Sequence, residues 1–326
     1  MIYLPREQAI GKINEFARRR DPFVFVIDFS TSRSVVLSPD DAAKTGIQYK
    51  IGKTESPHQA TAAYESFVFD PLPVSYNEYK TAFDKAIWHL HRGDTYLLNL
   101  TFPTKILTNR SLKELYQASR APYKLFFDGL FIVFSPEIFI RIRDNQIFSF
   151  PMKGTIDASL QNAVEMILSD EKEFFEHNTI VDLIRNDLSM IATGVRVNRF
   201  RYVDHIRTNR KELLQVSSEI AGELAPDYFN RLGDIIFTLL PAGSVTGAPK
   251  ERTVQIIRDT ETSDRGFYTG IFGYFDGTNL DSAVMIRFIE NTSGELRFRS
   301  GGGITALSEA RREYEELIQK VYVPII

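Results

Sequence analysis

Leu130-Phe131-Ile132-Val133-Phe134, Ser135-Pro136-Glu137-Ile138-Phe139 and Gln146-Ile147-Phe148-Ser149-Phe150 lie in one stretch, 95–150, that decides the fold class. Short runs dense in β-branched and aromatic residues read as strands, and strands dominate this stretch. Immediately before it, Tyr79, Phe83, Ile87 and Leu90 recur at helical spacing, so 76–92 reads as a helix that Gly93-Asp94 ends. Towards the N-terminus the pattern gives a short helix, 6–19, then strands at 23–29, 34–39, 47–52 and 66–70. Towards the C-terminus it gives helices at 170–189, 227–239 and 249–260 and strands at 267–275, 282–290 and 295–300. Gly301-Gly302-Gly303 then leads into a last helix, 307–321. Strands clustered in runs, with helices between the clusters, give an α+β fold with antiparallel sheets rather than alternating βα units.

No Pro/Gly/Ser linker, low-complexity tract or internal repeat divides the 326 residues, so 1–326 reads as a single domain. Its 25 Phe and 14 Tyr supply a large core. A net charge of -3 argues against a nucleic-acid partner and against a polybasic membrane contact. Cations that serve an anionic ligand must therefore be local to its site. The absence of cysteine excludes disulfides, thiolate metal sites and cysteine nucleophiles. The first residues lack the charged and apolar regions of a signal peptide, and the longest apolar runs are too short to span a bilayer. A cytoplasmic protein is expected.

Pro151-Met152-Lys153-Gly154-Thr155 follows the last of the quoted strands. Gly154 lets backbone approach closely, Thr155 adds a hydroxyl, and Lys153 is either a surface charge or a nucleophile. The second role requires surroundings that depress its pKa. Glu313, Glu316 and Lys320 share one face of the last helix, and Glu173 and Glu176 repeat the three-residue spacing on 170–189. Such sets form solvated ion-pair stripes. Alternatively their carboxylates hold a hard cation such as Mg²⁺, which takes oxygen ligands. Gly301, Gly302 and Gly303 make either a tight strand-to-helix turn or an amide cradle for an anion at the helix N-terminus. The loop 243–250 is not a P-loop, because its glycines are too close and Pro249 precedes Lys250; Pro249 instead opens the next helix. Arg287, in the apolar run Ala283-Val284-Met285-Ile286-Arg287-Phe288, needs a carboxylate partner from the protein or from a ligand. Glu137 either reaches solvent from a strand end or is buried, with the raised pKa that suits a general acid.

In order along the chain stand Ser135-Pro136-Glu137, Pro151-Met152-Lys153-Gly154-Thr155, Glu176-His177, Val181-Asp182-Leu183-Ile184-Arg185-Asn186-Asp187-Leu188, the 243–250 loop, Asp264-Arg265-Gly266-Phe267-Tyr268-Thr269-Gly270, Gly301-Gly302-Gly303-Ile304 and Glu313-Tyr314-Glu315-Glu316. This series resembles the chorismate-utilising enzymes, which include the anthranilate, aminodeoxychorismate, isochorismate and salicylate synthases. The resemblance covers 76–322 as the family's catalytic region and leaves 1–75 as a shortened N-terminal part. It implies the family's fold: two large antiparallel β-sheets packed together, helices outside, and a site between the halves.

Within that family, anthranilate synthases have alanine where this chain has Lys153, whereas aminodeoxychorismate synthase component I has a lysine that attacks the ring. The resemblance therefore implies the latter activity: chorismate and ammonia giving 4-amino-4-deoxychorismate, towards p-aminobenzoate and folate. Isochorismate and salicylate synthases activate water with a lysine in another strand, where Leu97 stands here. The resemblance further implies Mg²⁺ held by Glu173, Glu176, Glu313 and Glu316. It gives substrate contacts from Gly154, Tyr268, Arg287, Gly301, Gly302, Gly303 and Lys320. The catalytic set is Lys153, Glu137 as proton donor, and Thr155. A glutamine amidotransferase subunit is the implied ammonia source, since that chemistry needs a cysteine. Two departures stand out. Gln215 occupies a position where the family often has a proton-transferring histidine, and the short N-terminal part gives no expectation of feedback inhibition by tryptophan. Anthranilate synthase component I and a non-catalytic chorismate-binding subunit are the alternatives, separated by product and by turnover.

Overall fold

The computed structural model describes residues 3–57, 67–207 and 212–324. Its strands form two nine-stranded sheets, and every strand pair in them is antiparallel. The expected architecture of two large antiparallel sheets with helices is the one observed.

The quoted apolar runs explain how the sheets stack. Successive side chains of a strand point to opposite faces, so a strand covered on both sides must be apolar throughout. Phe23–Ile27 is buried at all five positions. Val24 and Val26 enter the core between the sheets, while Phe23, Phe25 and Ile27 pack outward against the helices Arg6–Arg19, Glu171–Ser189 and Leu232–Thr238. Phe131–Ser135 does the same in the other sheet: Phe131 and Val133 face the first sheet, Ile132 and Phe134 the outer cluster beneath Leu112–Ala118. Each such buried side chain contributes about 1.5–3 kcal/mol. Helices therefore cover the outside of both sheets. The third cluster, of Leu98, Leu100, Phe102 and Ile304 with Tyr79, Phe83 and Leu317, seats Tyr76–His91 and Ala310–Gln319 on the second sheet.

Several expectations shift in detail. The strand expected at 66–70 is Phe69–Leu72, and residue 66 lies outside the described residues. The strand expected at 282–290 is two, Leu280–Val284 and Phe288–Thr292, because Arg287 takes a left-handed conformation with φ 51°. The helix expected at 227–239 begins as a 3₁₀ turn, Tyr228–Arg231, before Leu232–Thr238. Pro249 is the cap before the helix Lys250–Thr260 rather than its first residue. The three glycines are not a turn: they lie inside the strand Glu295–Ile304, paired with Thr101, Leu100 and Asn99.

Candidate active site

Lys153 lies in the edge strand Met152–Asp157, which pairs with Glu212–Glu223. Gly154, with φ 74°, makes a bulge between Lys153 and Thr155, a conformation that glycine adopts without strain. Beyond it, Thr155 is exposed and takes no part in the cluster around Lys153. Across from this strand runs the helix Glu171–Ser189. Its start is fixed by Asp170, whose side chain accepts the Glu173 N–H at 2.9 Å. One face of its first turns then meets the lysine strand. The Glu173 Oε2 atom lies 3.4 Å from where a Cβ on Gly154 would be, and the Lys153 ammonium donates to Glu176 Oε2 at 2.8 Å.

The glycine strand makes room for this. A Cβ on Gly303 would stand 2.8 Å from Lys153 Nζ, 3.2 Å from Leu97 Cδ1 and 3.4 Å from Glu176 Oε2. Lysine, leucine and glutamate therefore converge on the gap that Gly303 leaves. On the opposite strand face, a Cβ on Gly302 would meet Glu313 Oε2 and Glu316 Oε1, both at 3.7 Å, and Lys320 Nζ at 3.9 Å. Lys320 donates to the Gly301 carbonyl at 2.9 Å and pairs with Glu316 at 2.7 Å. The glycine amides thus serve the sheet ladder, with residues 305–309 between them and the last helix. This corrects the cradle at a helix N-terminus.

Three of the expected carboxylates lie at these glycines, Glu176 at Gly303 and Glu313 and Glu316 at Gly302, while Glu173 stands beside Gly154. Among the described residues, no three such groups form a ready-made metal cage. The donor set nevertheless suits a hard cation: it is all carboxylate oxygen, and Glu176 and Glu313 are each only 4% exposed. A buried carboxylate needs a cation beside it, and Lys153 is one such partner here. Burial alone would depress the lysine pKa, but the Glu176, Glu173 and Glu316 carboxylates outweigh it and raise the pKa above the usual lysine range. The depressed amine required of a nucleophile is not the state of the ligand-free site.

Glu137 is the opposite case. Burial pushes its carboxyl above the usual range, against the hydrogen bond from Ser244 and the Lys153 and Lys320 charges that pull it down. Tyr268 is buried near it, raised by burial, and its ring packs on Phe288 at 5.8 Å. Thr269 N–H donates to the Met285 carbonyl at 2.8 Å, which sets Arg287 two residues further along the same wall. Arg287 stands over the Tyr322 ring at 4.8 Å, and no protein carboxylate among the described residues pairs with it. The described residues therefore do not supply the carboxylate expected for Arg287. Burial lowers the guanidinium pKa and Tyr322 raises it.

Residues 25–325 match the family described as chorismate binding enzyme. The chain belongs to that family. It is 50% identical over 317 residues to a protein of Pasteurella multocida described as an uncharacterized PabA-like protein, spanning 97% of this chain and 98% of that one. It is 33% identical over 264 residues to aminodeoxychorismate synthase component 1 of Klebsiella aerogenes, covering 76% of this chain and 57% of the relative. Among solved structures, anthranilate synthase component I of Streptococcus pneumoniae superimposes with a TM-score of 0.66 and 27% identity, over 78% of this chain and 58% of that one. Membership accounts for the motif order that the sequence presents, and for a chorismate-utilising fold.

Sequence reasoning passed over three contributors. Ser244, the partner of Glu137, sits in the 243–250 loop, which the sequence marks as a rejected P-loop and as one motif of the family series, with no role for the serine itself. Lys250 of the same loop donates to Asp187 at 2.7 Å, and burial raises the Asp187 carboxyl despite that cation. Glu137, Ser149, Asp187 and Ser244 share the lining of a cavity of about 30 Å³, room for one water-sized molecule. Tyr322, under Arg287, had no local signal. Gln215 is placed opposite Thr155 and donates to Met152 Sδ at 3.0 Å, beside the lysine. No helix of the described residues is long and apolar enough to cross a membrane.

Proposed function

We propose that this chain is an aminodeoxychorismate synthase component I, joining ammonia to chorismate to give 4-amino-4-deoxychorismate. One observation carries the reading: the amine that meets Leu97 and Glu176 at the Gly303 gap is that of Lys153. Chorismate has two carboxylates. Arg287, with Tyr268 and Lys320, suits one of them, because a buried guanidinium that meets no carboxylate among the described residues favours an anionic ligand. Glu176 and Glu316, with Glu173 and Glu313, would hold Mg²⁺. When bound, the ion supplies positive charge to the other ligand carboxylate and offsets the carboxylates that keep Lys153 protonated.

In the first half, the neutral Lys153 amine forms a bond to the ring carbon next to the carboxylate-bearing carbon. Both conjugated ring double bonds shift, and the hydroxyl leaves as water with the proton of Glu137. In the second half, ammonia bonds to the carbon that lost the hydroxyl, both double bonds shift back, and the surplus proton on the new amine returns to the Glu137 carboxylate. The lysine amine then leaves with its electron pair. The sum is chorismate plus ammonia giving 4-amino-4-deoxychorismate plus water. Ammonia is scarce near neutral pH, and a chain without cysteine cannot itself carry the cysteine-dependent glutaminase step. A glutamine amidotransferase subunit is therefore the proposed partner, and the cytoplasm the proposed compartment.

Two outcomes test parts of this reading. Glu176→Gln and Glu316→Gln should each raise the Mg²⁺ concentration for half-maximal activity by at least about 10-fold, since each removes a hard anionic ligand. Unchanged titration curves for both would return these carboxylates to simple ion pairs. Given chorismate and Mg²⁺ without ammonia, the enzyme should leave chorismate essentially unconverted to isochorismate, because Leu97 offers no amine to activate water. Chromatography showing abundant isochorismate or salicylate would overturn the assignment.

A further inference from the structure

His177 is fully buried, lies next to Glu176 and has no part in the chemistry above. Its Nε2 atom is 2.6 Å from Ser218 Oγ. That oxygen also accepts the Arg201 backbone N–H at 3.0 Å, so one hydroxyl meets both the imidazole and the strand that carries Arg201. Ser218 is tied in turn to the lysine run: its N–H donates to the Pro151 carbonyl at 2.9 Å, and Ser217 pairs with Met152. Arg201, at φ 47°, turns its guanidinium onto the Leu168 carbonyl at 2.9 Å. Ser218 thus joins the Glu176 helix to the strand Thr193–Arg207 through its hydroxyl and to the lysine run through its backbone N–H, and Arg201 carries the connection on to the helix Ala163–Ser169.

The link between Glu176 and Lys153 is ionic. Such a contact changes strength whenever a cation or an anionic ligand enters, whereas a buried hydrogen bond between neutral groups does not. We propose that His177 is a positioning residue: through Ser218 it holds the helix turn bearing Glu173 and Glu176 in register with the Lys153 strand, whatever charge the site contains. The catalytic consequence rests on the proposed function; the anchor itself does not.

The test compares His177→Leu, which fills the space but cannot hydrogen-bond Ser218, with His177→Gln, whose side-chain amide can do so in either direction. Ser218→Ala removes the same bond from the other side. In ligand-free protein, His177→Leu and Ser218→Ala should speed amide hydrogen exchange over 171–178 by about 10-fold, with the helix Tyr76–His91 unaffected. Both should lower kcat with ammonium by a similar factor while the KM for chorismate moves less, and His177→Gln should restore both. Wild-type exchange in His177→Leu and Ser218→Ala, or a glutamine variant as impaired as the leucine one, would overturn the proposal. A wild-type chain that does not aminate chorismate would refute the proposed function instead, and the exchange comparison would still decide the anchor.

Discussion

Lys153→Ala should lower the rate of chorismate amination by at least about 100-fold while circular dichroism remains that of the folded protein. The reasoning starts from the gap at Gly303, where the amine stands 2.8 Å from the position of a missing Cβ and its reach is limited by Leu97 and Glu176. Alanine there has no nitrogen to bond to the ring, so the two-step path closes. Direct attack by concentrated ammonia would leave a small residual rate that grows with ammonium concentration. Full activity at low ammonium would eliminate the covalent role of Lys153. A modest fall in melting temperature is also expected, because the variant removes the cation beside the buried Glu176.

Glu137→Gln should cost a factor on the order of 100 to 10,000 in kcat, the range that a positioned general acid supplies. Glutamine keeps the shape and can still bond to Ser244, but it has no proton to give to the leaving hydroxyl. The pH profile carries the sign. Burial raises the Glu137 pKa, so the acid form persists above the ordinary carboxylate range and activity falls as pH rises through the raised value. That alkaline limb should vanish in Glu137→Gln. Stability follows the same direction. The folded state binds this proton more tightly than the unfolded one, so its contribution is full below about pH 4.3 and is lost as pH rises through the folded pKa. The stability difference between wild type and Glu137→Gln should therefore change with pH across that window. A Gln variant with wild-type kcat and an intact alkaline limb would remove Glu137 from the mechanism.

Much of this was readable because local chemistry and global fold agree. Tyr79, Phe83 and Leu90 gave the helix Tyr76–His91 almost to its ends, and Ser75 caps it by accepting the Glu78 N–H at 3.2 Å. The continuous apolar runs signalled strands because both their faces are covered. Strand partners were not legible. Phe23–Ile27 pairs with Ile271–Phe275 from the far end of the chain, and no local pattern encodes such a contact. The glycine triplet misled for a physical reason. Glycines suit turns, but here they empty a strand of side chains so that Lys153 and Glu176 can approach one face and Glu313, Glu316 and Lys320 the other. Arg287 misled likewise: its apolar neighbours predicted an unbroken strand, and the break places the guanidinium over Tyr322. The short helices Pro39–Lys44, Leu112–Ala118 and Ala163–Ser169 carry too few turns for a periodic signal. The spacing of Glu173, Glu176, Glu313 and Glu316 did name residues that the fold brings to the glycine strand and the neighbouring lysine strand. It could not tell that Lys153 would be the cation pairing with Glu176 there.

The most direct test of the central claim is product identification. The protein is incubated with chorismate, Mg²⁺ and isotopically labelled ammonium, and the products are separated and weighed by mass spectrometry. The account predicts a labelled 4-amino-4-deoxychorismate that retains its enolpyruvyl group. Labelled anthranilate released with pyruvate, or chorismate left unchanged, would contradict it.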